Sequence, residues 1–461
     1  MSGSRTVTVG VDIGTTSVKA VAADEDGTVL SRTRIPHPLG RTSPGAFEHD
    51  IDTAWRRGVL DALTGVAAGH DVAAVNVSAM VPSLGAVDRS GHGCSPGLLY
   101  GDHRGVTELD RPDEAGDSGE LLEFLRWLAA HAPGAAGYWP AQAVANHALC
   151  GLGAIDSTTA MTAVPLFDLE GWDASLAAGA GVAVDALPVV VPGTSAAGRV
   201  LEGLPAAGAL VGGGTIDALG EQVVAGADAT GDVLVICGTT LITWAVIDEW
   251  STVPGLWTVP HTAPGKVLIG GPSNAGGLFV DQVHRWLGVP VGADHEPAPT
   301  DDLPVWLPYP RGERVPLHRR NLRTELHGAS LQHEQAHLLR AAYEATGFVV
   351  RHQLDLAAAV GARPRRIVAT GGGTRSGAWM QALADSTGLP VDVVAVAEGA
   401  ALGAAFMARC TAGLERSMTD AARWARTSHR VTPDPTAHDA ATRRYASFRR
   451  LTSAAMGRAD G

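Results

Sequence analysis

The sequence predicts an α/β fold of two related halves with mixed sheets, and three observations carry that expectation. A strand–turn–strand unit built on Gly-Thr-Thr occurs twice, at Gly14-Thr15-Thr16 and Gly238-Thr239-Thr240, with one offset throughout (238 − 14, 239 − 15 and 240 − 16 each give 224). Each copy is flanked by short apolar runs of strand character. Between and after the copies, helix-like and strand-like segments alternate, which indicates βαβ units beside the antiparallel strands. Gly-Thr turns between strands are common; the matching flanks, half a chain apart, favour an internal duplication.

The first strand shows as Val7, Val9 and Val11 alternating with Thr8 and Gly10. It stops at Asp12-Ile13-Gly14-Thr15-Thr16 and resumes over residues 18–22. Asp24-Glu25-Asp26-Gly27 reads as a hairpin turn before a third strand over 28–35. Asp117, with Glu120 three residues on, caps an expected helix over 117–128. The second unit has strands over 232–236 and 241–247. A long helix is expected over 334–360, ended by Gly361. A strand over 366–370 then leads into Gly371-Gly372-Gly373 and a helix over 376–387, followed by a strand over 391–396 and a helix over 398–409. From Thr432 an extended stretch and one amphipathic helix around Tyr445 complete the chain. The boundary expected near 217–232 gives domains 1–222 and 223–461.

At 461 residues the chain is too long for one ordinary core and fits two or three domains. With 45% hydrophobic and 18% charged residues it has a globular composition. The formal charge of −13, without a basic run, disfavours nucleic-acid or anionic-membrane partners. Cys94, Cys150, Cys237 and Cys410 form no CxxC pair, a pattern of a reducing cytoplasm that offers no cysteine zinc site. Asp12 interrupts the N-terminal apolar run before it could serve as a signal peptide. The longest stretch free of Asp, Glu, Lys and Arg, 127–155, contains His131, Pro133, Pro140, Gln142, Asn146 and His147, which argues against a membrane helix. A cytoplasmic protein is expected.

Asp12, Gly14, Thr15 and Thr16 place a carboxylate, flexible amides and two hydroxyls within five residues. Such groups can hold a hydrated divalent cation and nucleotide phosphates; an Asp-Gly hairpin capped by threonines is the plainer alternative. Gly238, Thr239 and Thr240 would grip phosphate from the second half. Gly371, Gly372 and Gly373, between a strand and a helix, form a third backbone cradle or a simple tight turn. There is no GxxxxGK[ST] and no strand-borne GxGxxG, so P-loop and Rossmann readings lose their main support. Asp217, in Gly212-Gly213-Gly214-Thr215-Ile216-Asp217, falls in a helix first turn, where the dipole favours an ionised carboxylate. It suits either a catalytic base for phosphoryl transfer or an ordinary helix start.

Taken in order, several segments resemble the FGGY carbohydrate kinases of the actin-like ATPase superfamily. They are DIGTTSVK from Asp12, LLYGDHR from Leu98, IDSTTA from Ile155, GTIDALGE from Gly214, CGTT from Cys237, LPYPRGERVP from Leu307, TGGGTRSGAWMQALADSTGLPV from Thr370 and EGAALGAA from Glu398. The resemblance implies two ribonuclease-H-like domains with mixed sheets flanked by helices and a nucleotide cleft between them. It implies a kinase that uses ATP and Mg2+ to phosphorylate a hydroxyl of a small sugar or polyol, by default a ketopentose such as D-xylulose, with a homodimer as the family habit. Asp12, Gly14, Thr15 and Thr16 would hold magnesium-bound phosphate, Asp12 through water; Gly238, Thr239 and Thr240 would hold it from the second domain. Gly371, Gly372, Gly373 and Ser376 would border the adenosine, and Asp217 would be the general base. Tyr100, Asp102 and Arg104 match a W-x-D-x-R stretch near the sugar, with Tyr for Trp, and Gly312-Glu313-Arg314 matches a signature read as structural. Xylulokinases carry Gln-Met-His-Gly where this chain has Ser78-Ala79-Met80-Val81-Pro82-Ser83, so Ser78 and Met80 would face the substrate without the Gln and His. That departure leaves room for a specialised substrate such as a cyclitol. An actin-like ATPase or regulatory nucleotide-binding protein without sugar kinase activity is the reading from another class.

Overall fold

The computed structural model describes residues 6–42, 46–102, 104, 120–168, 170–290 and 302–459. Val7, Val9 and Val11 lie in β1 (Thr6–Ile13), but the residues between them are buried as well, so both faces of this strand are covered. β2 (Ser17–Ala23) pairs antiparallel with β1, and β3 (Val29–Pro36) with β2. The expected hairpin turn forms where Asp24 Oδ1 accepts the N–H groups of Asp26 and Thr28 and Gly27 takes φ +72°. β4 (Asp71–Ala79) runs parallel to β1 on its other side. The helix α1 (Ala141–Cys150) follows, then β5 (Ala196–Arg199), β6 (Leu210–Gly212), β7 (Thr215–Ile216) and α2 (Asp217–Ala225). The strand order is β5-β6-β4-β1-β2-β3, with β7 also paired to β4. The expected cap Asp117 lies outside the described residues.

The second sheet starts with β8 (Asp232–Cys237) and β9 (Leu241–Ile247), joined by the second Gly-Thr-Thr turn. β10 (Trp257–Pro260), β11 (Val267–Ser273) and the helix α3 (Gly277–Leu287) come next. The long expected helix forms as α4 (Gln335–Ala357) with Glu334 as N-cap, tightens to a 3-10 turn over Ala358–Val360, and ends at Gly361 with φ +86°. β12 (Arg366–Thr370), α5 (Gly377–Thr387) and β13 (Val391–Val394) follow. After α6 (Gly399–Thr411) come β14 (Thr427–Val431) and α7 (Pro435–Ala459). The strand order is β10-β11-β9-β8-β12-β13-β14.

Both sheets share one plan. The hairpin strands β1/β2 and β8/β9 each carry an antiparallel third strand, β3 or β11. β4 and β12 run parallel to the first hairpin strand, β6 and β13 parallel to those, and β5 and β14 pair antiparallel at the far edge. This repeated topology is the structural form of the duplicated sequence unit.

The chain clusters into two compact units: one holds the described residues through Val224 together with Glu398–Trp424, the other those of Ala225–Ala397 and from Ala425 onward. In the second, Arg366 bonds Asp232 on one side and Asp392 on the other, and Arg430 also bonds Asp392, which laces four strands together. Arg444 of α7 makes a bidentate pair with buried Glu344 of α4 at 2.6 and 2.7 Å.

In the first unit α6 packs on β1, β2 and β4. A Cβ on Gly10 would lie 1.8 Å from the Ala401 carbonyl oxygen, and one on Gly403 1.9 Å from that of Gly220 in α2. Glycine is therefore required where this helix meets the sheet and its neighbour. Gly10→Ala should destabilise the first unit by about 3 kcal/mol through overpacking against backbone. Gly179→Ala, where a Cβ meets nothing within 4 Å, should leave the urea midpoint unchanged or raise it slightly.

Candidate active site

Register builds the first part of the site. Lys19 of β2, Asp12 of β1, Ser78 of β4 and Thr215 of β7 are successive cross-strand partners, so they form one row on one face of the sheet. Asp12 is 4% exposed, and its Oδ2 lies 3.3 Å from Lys19 Nζ. Asp12 Oδ1, Ser78 Oγ and Thr215 Oγ1 are buried and have no hydrogen-bond partner among the described residues. Three orphaned oxygens in one row of a folded core mark a place for water or an ion, since buried polar atoms are otherwise paired. The Asp12 charge, against burial, raises the Lys19 pKa above its ordinary value, and Glu221 of α2 and Glu398 at the α6 N-cap add to the effect. Glu398 also pairs with Arg32 at 3.4 Å.

The adjoining turn is held from outside. The Gly14 N–H donates to the Ser17 carbonyl, and the Thr15 hydroxyl lies 2.9 Å from Tyr100 Oη. Trp55 Nε1–H, a donor only, donates a hydrogen bond to His49 Nδ1 at 3.0 Å. The proton of neutral His49 must then sit on Nε2, which donates to the Thr15 carbonyl at 2.8 Å. Burial pushes the His49 pKa down to about 4, and His37, its ring centroid 4.5 Å away, adds to the shift. The His37 N–H donates to the Thr16 carbonyl; the Thr16 side chain is exposed.

The expected sugar-side residues divide into two groups. Tyr100 joins the turn through Thr15, and the Met80 N–H reaches the Ile13 carbonyl at 3.4 Å while its side chain is buried. Asp102 instead accepts the Phe47 N–H at 2.7 Å and is forked by Arg104, which also lies 2.6 Å from Glu48. These two charges fix residues 47 and 48 beside His49.

Asp217 opens α2 directly after β7; it is half-buried, and its Oδ1 accepts the Ala218 N–H at 2.7 Å. Three buried amides hold the segment leading to it. Asn76 Oδ1 accepts the Gly214 N–H, Asn146 Nδ2 donates to the Gly213 and Ala154 carbonyls, and Gln142 Nε2 donates to those of Thr215 and Ala79. Sequence reasoning assigned these residues no part in the site. The available signal was Gln142 and Asn146, four apart on an alanine-rich helix, where two amides reach the same neighbour.

In the second unit the Gly238 N–H donates to the Thr240 carbonyl. The Gly277 and Leu278 N–H groups at the start of α3 donate to the Gly238 and Thr239 carbonyls. Gly371, with φ +88°, lies so close that a Cβ would be 2.9 Å from the Cys237 carbonyl oxygen, and one on Gly373 would be 2.8 Å from Cys237 Cβ. Gly371 and Gly373 are thereby brought against the residue that precedes Gly238, while a Cβ on Gly372 would meet nothing within 4 Å. The three glycines open a 3-10 turn, Gly372–Arg375, rather than the helix itself, and Ser376 caps α5 by accepting the Trp379 N–H.

Residues 7–124 match the N-terminal domain of the FGGY family of carbohydrate kinases, and residues 233–412 match its C-terminal domain. The chain is 27% identical to a probable L-xylulose kinase of Pasteurella multocida, with 97% of this chain and 98% of that protein covered. It is 25% identical to a xylulose kinase of Escherichia coli, with 96% and 98% covered. The crystal structure of xylulose kinase from Rhodospirillum rubrum matches at a TM-score of 0.77 and 26% identity, covering 99% of this chain and 100% of that one. Among the described residues no helix is long and apolar enough to cross a membrane.

The His49 network sets a pH dependence. A folded pKa near 4 against an ordinary 6.5 gives stability that is complete above 6.5 and lost as pH falls through 4. The full loss is about 3 kcal/mol for a shift of this size. His49→Gln keeps one donor and one acceptor without titrating, so its urea midpoint should fall less than that of the wild type between pH 6.5 and 4.

Proposed function

Because the chain belongs to the FGGY family of carbohydrate kinases, we propose that it transfers the γ-phosphoryl group of ATP to a hydroxyl of a small sugar or polyol, with Asp217 as general base. The supporting observation is the row of orphaned buried oxygens at Asp12, Ser78 and Thr215, which leads through β7 to Asp217. The Asp12 carboxylate fits a magnesium ion held through water, since magnesium takes one or two carboxylates and fills its remaining positions with water and phosphate. When bound, that ion neutralises charge on the phosphates. Gly14, Thr15 and Thr16 in the first unit, and Gly238, Thr239 and Thr240 in the second, offer amides and hydroxyls to phosphate oxygens. Gly371, Gly372, Gly373 and Ser376 serve the adenosine. Asp217 accepts the proton of the attacking hydroxyl as its oxygen bonds to the γ-phosphorus and ADP leaves. Tyr100 orients Thr15; Asp102 and Arg104 shape the sugar side.

A ketopentose such as D-xylulose is the first substrate to test, because the similar proteins are named for xylulose. A cyclitol or another less common polyol is the second reading. Beyond Met80 the chain presents Val81, whose side chain offers no group to bond a hydroxyl and which lines a small pocket with Leu84, Leu121 and Ile155 beside Ser83 and Thr159.

ADP release should be measured over ketoses, polyols and cyclitols. At least one must stimulate turnover, and Asp217→Ala should then cut kcat by about a thousandfold while MgATP still binds. Full turnover in that variant would remove Asp217 from the role of base.

A further inference from the structure

In the second unit a buried carboxylate that the chemistry above does not use holds the loop beneath the Gly238-Thr239-Thr240 turn. We propose that Glu313 is a positioning residue for this turn and, through it, for a nucleotide phosphate; the proposal rests on reading the turn as a phosphate-binding element. Glu313 is 3% exposed. Its Oε2 accepts the Ser273 hydroxyl at 2.7 Å, and its Oε1 accepts the N–H groups of Asn274 and Arg314 at 2.8 and 2.7 Å. Ser273 Oγ in turn accepts the Ala275 N–H at 3.0 Å, and Asn274 Nδ2 donates to the Gly312 carbonyl. The carboxylate thus fixes three consecutive residues at the end of β11.

Those residues abut the turn. Ser273 is the register partner of Leu241, which directly follows Thr240. A Cβ on Gly276 would lie 2.3 Å from the Thr240 carbonyl carbon, and one on Gly277 2.7 Å from the Gly238 oxygen. Gly277 and Leu278 then bond the Gly238 and Thr239 carbonyls. With backbone resting on backbone there is no side chain to absorb a shift, so displacement of residues 273–277 moves the turn. Burial pushes the Glu313 carboxyl up to about 7, against its three donors and the Arg314 charge. An acid kept inside at that cost suits a positional role better than a stabilising one.

The test is calorimetric titration of the full chain with MgADP. Glu313→Ala and Thr240→Ala should each weaken binding by about tenfold, and Ser273→Ala by about threefold. The Glu313→Ala/Thr240→Ala double variant should be scarcely weaker than either single, because both act through one turn. A purely structural Glu313 would lower the melting temperature and leave the affinity of the folded protein unchanged. Wild-type affinity in Glu313→Ala with weakened Thr240→Ala overturns the proposal, and so does full additivity. Wild-type affinity in Thr240→Ala overturns the phosphate reading of the turn itself, and the proposal with it. If Glu313→Ala has lost its folded circular dichroism spectrum, Ser273→Ala decides alone, since it cuts the same relay and leaves the carboxylate in place.

Discussion

The first unit depends on one packing contact, that of α6 with β1 and α2, where glycine lets backbone meet backbone. Gly10 lies under Ala401, and Gly220 meets Ala400 and Gly403. β1 carries Asp12 next to its last residue and α2 begins with Asp217, so one small-residue helix seats both carboxyl-bearing elements. The same helix brings Glu398 toward Lys19, the cation paired with Asp12. A larger residue at any of these glycines would move β1 or α2, the elements that hold Asp12 and Asp217.

Much of this was legible from local pattern. The paired Gly-Thr-Thr hairpins, the strands around them, the Gly361 stop and the strand before Gly371 all follow from periodicity and turn chemistry, which act over a few residues. The duplication extends further than the hairpins that revealed it, to four more strands in each sheet. The return of Glu398–Trp424 to the first unit was not legible, because nothing local distinguishes an alanine-rich helix packed on a preceding sheet from one packed on its own. What fixes it is the contact of Gly10 with Ala401 and of Gly220 with Ala400 and Gly403, residues far apart in the chain.

The polar scaffolding around the site divides in the same way. Asp12 and the turn threonines stand out because the Gly-Thr-Thr triplet recurs between matching strands at Gly238-Thr239-Thr240. Gln142, Asn146, Asn76 and Glu313 do not stand out, since their partners are backbone carbonyls and N–H groups contributed by distant segments. Tyr100, in a stretch that by resemblance lies near the sugar, bonds Thr15 through its hydroxyl and ties that stretch to the turn. Asp102 and Arg104 satisfy each other and brace the loop at residues 47 and 48.

In the proposed reaction two carboxylates of the first unit divide the labour, Asp12 for the cation and Asp217 for the proton. Titrating magnesium into steady-state turnover of Asp12→Asn and Asp217→Asn, with the best substrate at saturation, separates the two duties. Asp12→Asn should need about tenfold more magnesium for half-maximal rate and recover part of its kcat at high magnesium. Asp217→Asn should stay inactive at every magnesium concentration. An unchanged magnesium requirement in Asp12→Asn, or recovery of Asp217→Asn by magnesium, would contradict the account.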